Sequence, residues 1–431
     1  MAWEKHSYRV GSSTAGFDSI PTDVDELATF INEARKRIEP WLSAVFQAEH
    51  LNLLIGSGFT SAVAASVGTS GTSMAKAAFG TPFDDAITAS ADATAKTMGR
   101  GEANIEDQFR SAMAVQEGFS VIDPAKAADV KTAIDAQLRS FLSSLLTTER
   151  AIATTGDKDR KRDSEQLLTS FLLSFASRAA SRERLHIFTS NYDRLIEHGC
   201  DLAGLRIIDR FVGALNPIFR STRVDVDMHY NPPGIRGEPR FMEGVVRLTK
   251  LHGSLDWHFS KADRLMRRIG IPFGAPNDHT DMPKEPLDTV MVYPNPAKDI
   301  ETTEYPYAEL FRDFAASICR PNSVVVTYGY GFGDDHINRV LLDMLAIPST
   351  HLVIMIRSGK RAHDFCQPTR DAQVSLLVGH FADLSALVQN YLPKPALDYI
   401  TGRWTDLLKQ RMISSSSTPP TGTVSPADPP F

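Results

Sequence analysis

Cysteine is scarce: the 431 residues hold only Cys200, Cys319 and Cys366, far apart and in no C-x-x-C pair. That excludes a Cys-rich zinc ribbon built within this chain and argues against a disulfide framework. No uninterrupted apolar run is long enough to cross a bilayer, so no membrane association is expected. Behind Met1-Ala2-Trp3-Glu4-Lys5-His6 no apolar signal region follows, and the expected location is cytoplasmic. The phosphate-loop pattern G-x-x-x-x-G-K-[ST] is missing, so any ATPase acting with this chain is a second polypeptide. A net charge of −6 gives no support for bare nucleic acid as the main partner, and direct binding to it is not expected.

What is present is ordinary globular composition, 42% hydrophobic and 23% charged. The length fits one α/β domain with a large insertion or two domains. The stretch that organises the rest is Leu51-Asn52-Leu53-Leu54-Ile55-Gly56-Ser57-Gly58-Phe59-Thr60. It predicts a buried parallel strand opening into a glycine turn and then a helix rich in Ala and Ser. Glycines at such a turn let the backbone approach a pyrophosphate, and the amides of the helix start then face the anion. By itself a Gly-x-Gly after an apolar run is more often a plain turn.

Residues 1–20 are polar and predict an arm that is loose or docks on a neighbour. Leu27, Phe30, Ile31, Ala34 and Ile38 recur at helical spacing after Pro21-Thr22-Asp23 and predict a helix over about 23–48. From about 60 to 185 the pattern is mostly helical, an insertion between the first and second strands of the sheet. Gly101 to Asp107 has the acids of a first helical turn. The stripes Leu138, Phe141, Leu142, Leu145, Leu146 and Leu167, Leu168, Phe171, Leu172, Phe175 read as core, with an oligomer interface as the lesser alternative.

Three more strand ends follow. Leu185 to Leu195 runs from strand through Thr189-Ser190-Asn191-Tyr192-Asp193 into a helix. An Asn and an Asp there sit where open α/β sheets bind ligands. Asn191 as a helix N-cap explains them equally well, and both readings stand on this segment alone. Turn signals fill 205–245, an irregular excursion beside the cleft. Val245 to Leu251 predicts a strand ending in His252-Gly253, and the proline-rich stretch from about 260 to 300 predicts loop. A lone histidine is more often structural than catalytic; a strand end before glycine improves the odds for His252. Last, Asn322 to Asp335 repeats strand, glycine loop (Gly329-Tyr330-Gly331) and helix. Such a pair of units suits a dinucleotide across a switch point. Two further strands, at Leu352–Ile356 and Val374–Val378, precede a helix near 382–391. The Ser/Thr/Pro tail, 414–431, predicts disorder.

In this order the four segments resemble the sirtuin (silent information regulator) superfamily, with its Gly-Ala-Gly-x-Ser, Thr-Gln-Asn-x-Asp, Leu-His-Gly and Gly-x-Ser motifs. The resemblance implies a Rossmann-like parallel sheet over about 49–400 with a large helical insertion, acting on NAD. Carried over residue by residue, Gly56, Ser57, Gly58, Phe59 and Thr60 would hold the pyrophosphate. Asn191 and Asp193, with Ser190 and Tyr192, would face the nicotinamide ribose. His252, followed by Gly253, would be the base. Gly329, Tyr330 and Gly331, with Asp334, would bind the adenosine half. The four-cysteine zinc module of the deacylases is missing after His252, where Ser254, Leu255, Asp256, Trp257 and His258 stand, so neither zinc nor another metal is expected. The Gly-Ile-Pro-x-Phe-Arg continuation is replaced by Ser61-Ala62-Val63-Ala64. These departures resemble the zinc-free sirtuin-like proteins of bacterial antiphage systems. That implies an NAD hydrolase releasing nicotinamide and ADP-ribose, a homo-oligomer gated by assembly or by a separate partner such as a HerA-type ATPase.

Nicotinamide departs as positive charge grows on the ribose, an oxocarbenium-like state. Asn191 can orient water because its amide both donates and accepts. Asp193 can stabilise the charge or bind ribose hydroxyls. His252, of a type with a pKa near ~6.5, can take a proton at neutral pH. An NAD-dependent deacylase, a silent NAD or ADP-ribose sensing module and a Rossmann dehydrogenase are the competing readings. The first lacks zinc cysteines, the second needs no placed base, and the third lacks the full G-x-G-x-x-G.

Overall fold

The computed structural model describes residues 5–97, 102–221, 227–230, 240–260, 263–288, 290–292, 306–358, 360–366 and 372–394, in which the apolar runs become strands. The strands are β1 (His6–Val10), β2 (Ser13–Phe17), β3 (His50–Ile55), β4 (His186–Thr189), β5 (Arg206–Ile208), β6 (Phe211–Val212), β7 (Ile218–Phe219) and β8 (His229–Tyr230). They continue as β9 (Arg240–Phe241), β10 (Val245–Lys250), β11 (Gly253–Ser260), β12 (Leu265–Arg268), β13 (Val290–Val292), β14 (Ser323–Tyr328), β15 (His351–Ile356) and β16 (Val374–Val378).

Nine of them form a sheet in the order β2-β1-β16-β15-β14-β3-β4-β10-β5. Every neighbouring pair from β16 across to β5 is parallel. The fold is therefore a mixed α/β, Rossmann-like one, as the sequence predicts. Alternate residues of β3 serve opposite faces: Leu51, Leu53 and Ile55 join one buried cluster and Leu54 the other. Asn52, buried in the same strand, is satisfied by donating to Ser323 Oγ at 3.1 Å and accepting from Ser317 Oγ at 2.6 Å.

The helices are α1 (Val24–Val45), α2 (Ser57–Ser66), α3 (Asp84–Thr97), α4 (Ile105–Ile122), α5 (Pro124–Ala153), α6 (Lys158–Ala176), α7 (Leu195–Leu202), α8 (Tyr307–Ile318), α9 (Asp335–Leu345) and α10 (Lys360–Phe365). Their starts follow the capping rules. Asp23 accepts from the amides of Asp25 and Glu26 at the head of α1, and Asn104 and Asp107 form a reciprocal capping box on α4. Helices α2 to α6 lie between β3 and β4. The two leucine- and phenylalanine-rich stripes of α5 and α6 are interior. That of α5 packs with Phe109 of α4, and also with Tyr192 from the turn after β4.

Two expectations are corrected. The polar N-terminal stretch is no loose arm: β1 and β2 form a hairpin whose first strand pairs antiparallel with β16, Ser7 opposite Val378. Tyr8 and Val10 of β1 are buried in the core, and β2 forms the outer edge of the sheet. The stretch expected as loop from about 260 instead supplies β12 and β13 to a five-stranded sheet, β13-β11-β12-β7-β6. Aromatic packing holds this sheet, with Trp257 5.0 Å from Phe211 between ring centroids. The tail over 414–431 and the domain limit near residue 400 lie outside the described residues.

Candidate functional site

Strands β3 and β14 run side by side with Ile55 opposite Tyr328, so their glycine turns emerge together at the carboxyl edge. This is the switch point of the sheet, where β4 continues on one side of β3 and β14 on the other. The turns touch. Gly58 N–H donates to Gly329 O at 3.0 Å, and a Cβ on Gly56 or Gly58 would come within 2.7 Å of Gly329 or Tyr330 backbone atoms. Gly329 itself has φ +61°, a conformation that favours glycine. These three glycines are thus accounted for by backbone packing; Gly58 and Gly329 are not among the cleft-lining residues. Gly331 is different: open space lies in front of its α-carbon, and it lines the cleft.

Phe59 is corrected outright. Expected at the ligand, it is fully buried under the sheet, 4.9 Å from the Phe171 ring and 5.7 Å from Tyr328. In the first turn of α2, Phe59 and Val63 share the inward face, while Ser57 and Thr60 line the cleft.

The turn after β4 is bound to that helix by a chain of side chains. Asn191 Nδ2 donates to Gly56 O and to Thr60 Oγ1, both at 3.1 Å. Thr60 Oγ1 donates in turn to Asp193 Oδ2 at 2.7 Å, and the other Asp193 oxygen accepts from Leu195 N–H at 3.1 Å. Asp193 therefore works both as a helix-start acceptor and as the anchor of the Asn191–Thr60 pair. With both amide hydrogens committed, Asn191 keeps its carbonyl oxygen to accept from a ligand or water. Beneath the turn the buried Lys250 donates to Asp193 O, to Ser254 Oγ at 2.9 Å and to Glu197 Oε1 at 3.1 Å. Burial raises the Glu197 carboxyl above its ordinary range, and the Lys250 charge opposes the rise.

His252, at the end of β10, lies 3.0 Å through Nε2 from Nε2 of His336 in the first turn of α9. Gly253 follows with φ +85°, again a glycine conformation, and turns the chain into β11. Tyr192 leans over the site, its ring 6.3 Å from that of His252 and its hydroxyl donating to Glu106 Oε1 at 2.8 Å. Burial, reinforced by the Glu106 charge, pushes that hydroxyl well above its ordinary pKa, so it stays a donor. Tyr330 likewise stays protonated, chiefly through burial, and donates to Asp334 O and Asn338 Oδ1.

Together these groups line one open cleft. Gly56, Ser57, Thr60, Ser190, Asn191, Tyr192, Asp193, His252, Tyr330, Gly331 and Asp334 all border it. Sequence reasoning missed what the insertion supplies: Glu102, Asn104, Glu106, Asp107, Phe141 and Leu145 form one wall. It also missed His336, two residues beyond Asp334, and Arg361, which borders the cleft from α10. The acidic run at 102–107 was visible as a helix start, but nothing local shows which turn that helix meets. No metal was expected, yet His252, Asp334 and His336 bring their ligand atoms within 4.8 Å of one another.

No helix among the described residues is long and apolar enough to cross a membrane. No curated protein matches the chain. Residues 185–373 match the family described as SIR2-like domain. The matched stretch holds β4, β10 and β14 with the turns at Asn191, His252 and Gly329, while β3 and its glycine turn lie before it. SIR2-like domains bind NAD, and the matched stretch carries Asn191, Asp193, His252 and Tyr330 of the cleft. Through residues 185–373 the chain is similar to the sirtuin-like superfamily.

Proposed function

We propose that the cleft hydrolyses NAD at its nicotinamide N-glycosidic bond, releasing nicotinamide and ADP-ribose. The observation that supports this reading best is the meeting of Asn191, Asp193 and His252 from two neighbouring strand ends in one cleft beside the glycine turns. The charge pattern suits a dinucleotide that is cationic at one end. Glu106, Asp107, Asp193 and Asp334 favour the pyridinium and the positive ribose that follows it, while Arg361 and the start of α2 favour the pyrophosphate. As nicotinamide leaves, water held by the Asn191 carbonyl attacks the ribose carbon, and His252 accepts the proton that the water gives up. Asp193 acts through Thr60 and Asn191, whose positions it fixes.

A free NAD hydrolase would harm its own cell, so the activity belongs to a gated effector of the antiphage kind. Assembly of copies of the chain, or a separate partner such as a HerA-type ATPase, would release it. The test is chromatographic measurement of nicotinamide and ADP-ribose formed by the full chain, alone and with lysate of phage-infected cells. His252→Ala should lower turnover by about 10²–10⁴-fold, the usual worth of general acid–base catalysis. Asn191→Ala should fall comparably. Turnover unchanged in both variants refutes this site, and acetyl-peptide turnover coupled to NAD would replace hydrolysis by deacylation.

A further inference from the structure

We propose that His252, His336 and Asp334 form a binding site for a divalent transition-metal ion of the zinc class, and that occupancy holds His252 out of catalysis. The metal site stands on geometry alone, whereas its effect on turnover rests on the hydrolase reading. The two imidazoles do not stack or lie edge to face at random: their Nε2 atoms meet at 3.0 Å, and the Asp334 carboxylate brings all three ligand atoms within 4.8 Å of one another. Zinc binds imidazole nitrogen at about 2.0–2.1 Å, so two nitrogens on a tetrahedral ion stand roughly 3.3 Å apart. Opening the pair by a few tenths of an ångström and swinging Asp334 inward satisfies that geometry.

Asp334 is part-exposed in the turn just before α9, whereas both histidines are buried. His336 is held further by the Phe311 ring, 4.7 Å away. Two imidazoles and one carboxylate select zinc and its transition-metal neighbours over magnesium or calcium, which prefer all-oxygen shells. Three protein ligands leave a fourth position, and His252 and Asp334 both border the cleft from which water or substrate would fill it. This constellation owes nothing to cysteine, so the missing four-cysteine module does not bear on it. A His252 nitrogen bound to the ion has its lone pair engaged and cannot accept a proton from water.

The full chain, stripped with a chelator and dialysed against Zn²⁺, would be assayed for bound metal by mass spectrometry and for affinity by calorimetry, beside His336→Ala and Asp334→Asn. The expectation is about one zinc per chain, bound at least tenfold more weakly in each variant, since even outer-shell losses cost about 10–100-fold. Retained cooperative thermal unfolding excludes a folding defect as the cause. No stoichiometric zinc in the wild type, or affinity unchanged in both variants, overturns the site. In the activity arm, NAD turnover should fall in step with zinc occupancy and return with the chelator; turnover indifferent to occupancy overturns the link to catalysis. Stoichiometric zinc lost on His336→Ala, with no turnover in stripped or loaded protein even beside lysate of phage-infected cells, would sustain the site and refute the hydrolase reading.

Discussion

Thr60→Val changes a hydroxyl to a methyl of nearly the same shape and removes two hydrogen bonds at once. One is donated to the Asp193 carboxylate at 2.7 Å, the other accepted from Asn191 at 3.1 Å. Hydrogen bonds to charged groups contribute about 1.5–3 kcal/mol and neutral ones about 1. Asp193 and Asn191 are each 7% exposed, so water cannot easily replace what is lost. A stability loss of about 2–4 kcal/mol is therefore expected in urea unfolding. The larger effect falls on turnover. Asn191 keeps its bond to Gly56 O but loses the one that fixes its amide plane, and a misplacement of about 1 Å can cost ~10²-fold in rate. Nicotinamide release should drop about 30- to 300-fold with KM for NAD changed little, because Thr60 aligns the group that positions water. Thr60→Ser keeps the hydroxyl and should recover most of the rate. Wild-type turnover in Thr60→Val, or equal losses in Val and Ser, would refute the alignment argument.

Three further expectations follow. Glu149 of α5 is buried against Arg194, with Oε2 2.5 Å from Nη2 and Oε1 2.8 Å from the Arg194 amide. Glu149→Ala strands that cation and should cost about 3–5 kcal/mol in denaturant unfolding, while Glu149→Leu with Arg194→Met should recover much of it; a loss under 1 kcal/mol would contradict this. His351 is pushed down to about 4 by burial, with the Arg9 charge adding to the shift. Its folded pKa is depressed, so its contribution is complete above pH ~6.5 and fades as pH falls toward 4, a loss of about 1–3 kcal/mol for this half-buried ring. His351→Gln should flatten the acid limb of the stability profile, and an identical limb would refute the assignment. Phe59→Ala should destabilise by about 3–5 kcal/mol and leave NAD affinity of the folded protein unchanged; a loss of affinity in calorimetry would return Phe59 to the ligand.

The strand ends were legible because their signals are local. A β-branched run followed by glycine or by Asn-x-Asp fixes strand, turn and helix within about ten residues, and β3, β4, β10 and β14 lie where those runs place them. Phe59 was misread for a reason also local: proximity to Gly56 and Gly58 outweighed its i,i+4 relation to Val63, which marks the inward face of α2. The β1–β2 hairpin could not be read, since Ser7 and Arg9 lie in a strand that docks on β16, more than 360 residues on, and Ser13 and Thr14 of β2 pair only with that strand. The antiparallel sheet after His252 was hidden by prolines between short strands. His336 stood in plain view beside Asp334, but its chemistry appears only when α9 brings it to His252.

Two polar links join the helical insertion to the turn that carries Asn191. Glu106 of α4 takes the Tyr192 hydroxyl, and Glu149 of α5 grips Arg194 by its backbone amide and its guanidinium. They fall on the residues immediately flanking Asn191 and Asp193, with Phe141 of α5 packed edge-on to Tyr192 at 5.8 Å. A shift of α4 and α5 relative to the sheet therefore cannot leave the Asn191 amide where it is. It must either break a buried hydrogen bond and a buried ion pair or carry the turn along with it. Charged hydrogen bonds at about 1.5–3 kcal/mol each make the second course the cheaper one for small movements. The Asn191–Thr60–Asp193 chain ties the same turn to α2 on the other side. Turnover would thus depend on agreement between the insertion and the glycine turn about where one amide sits. On the function proposed above, a partner or second copy that acts on α4 and α5 would gate the chemistry through this turn.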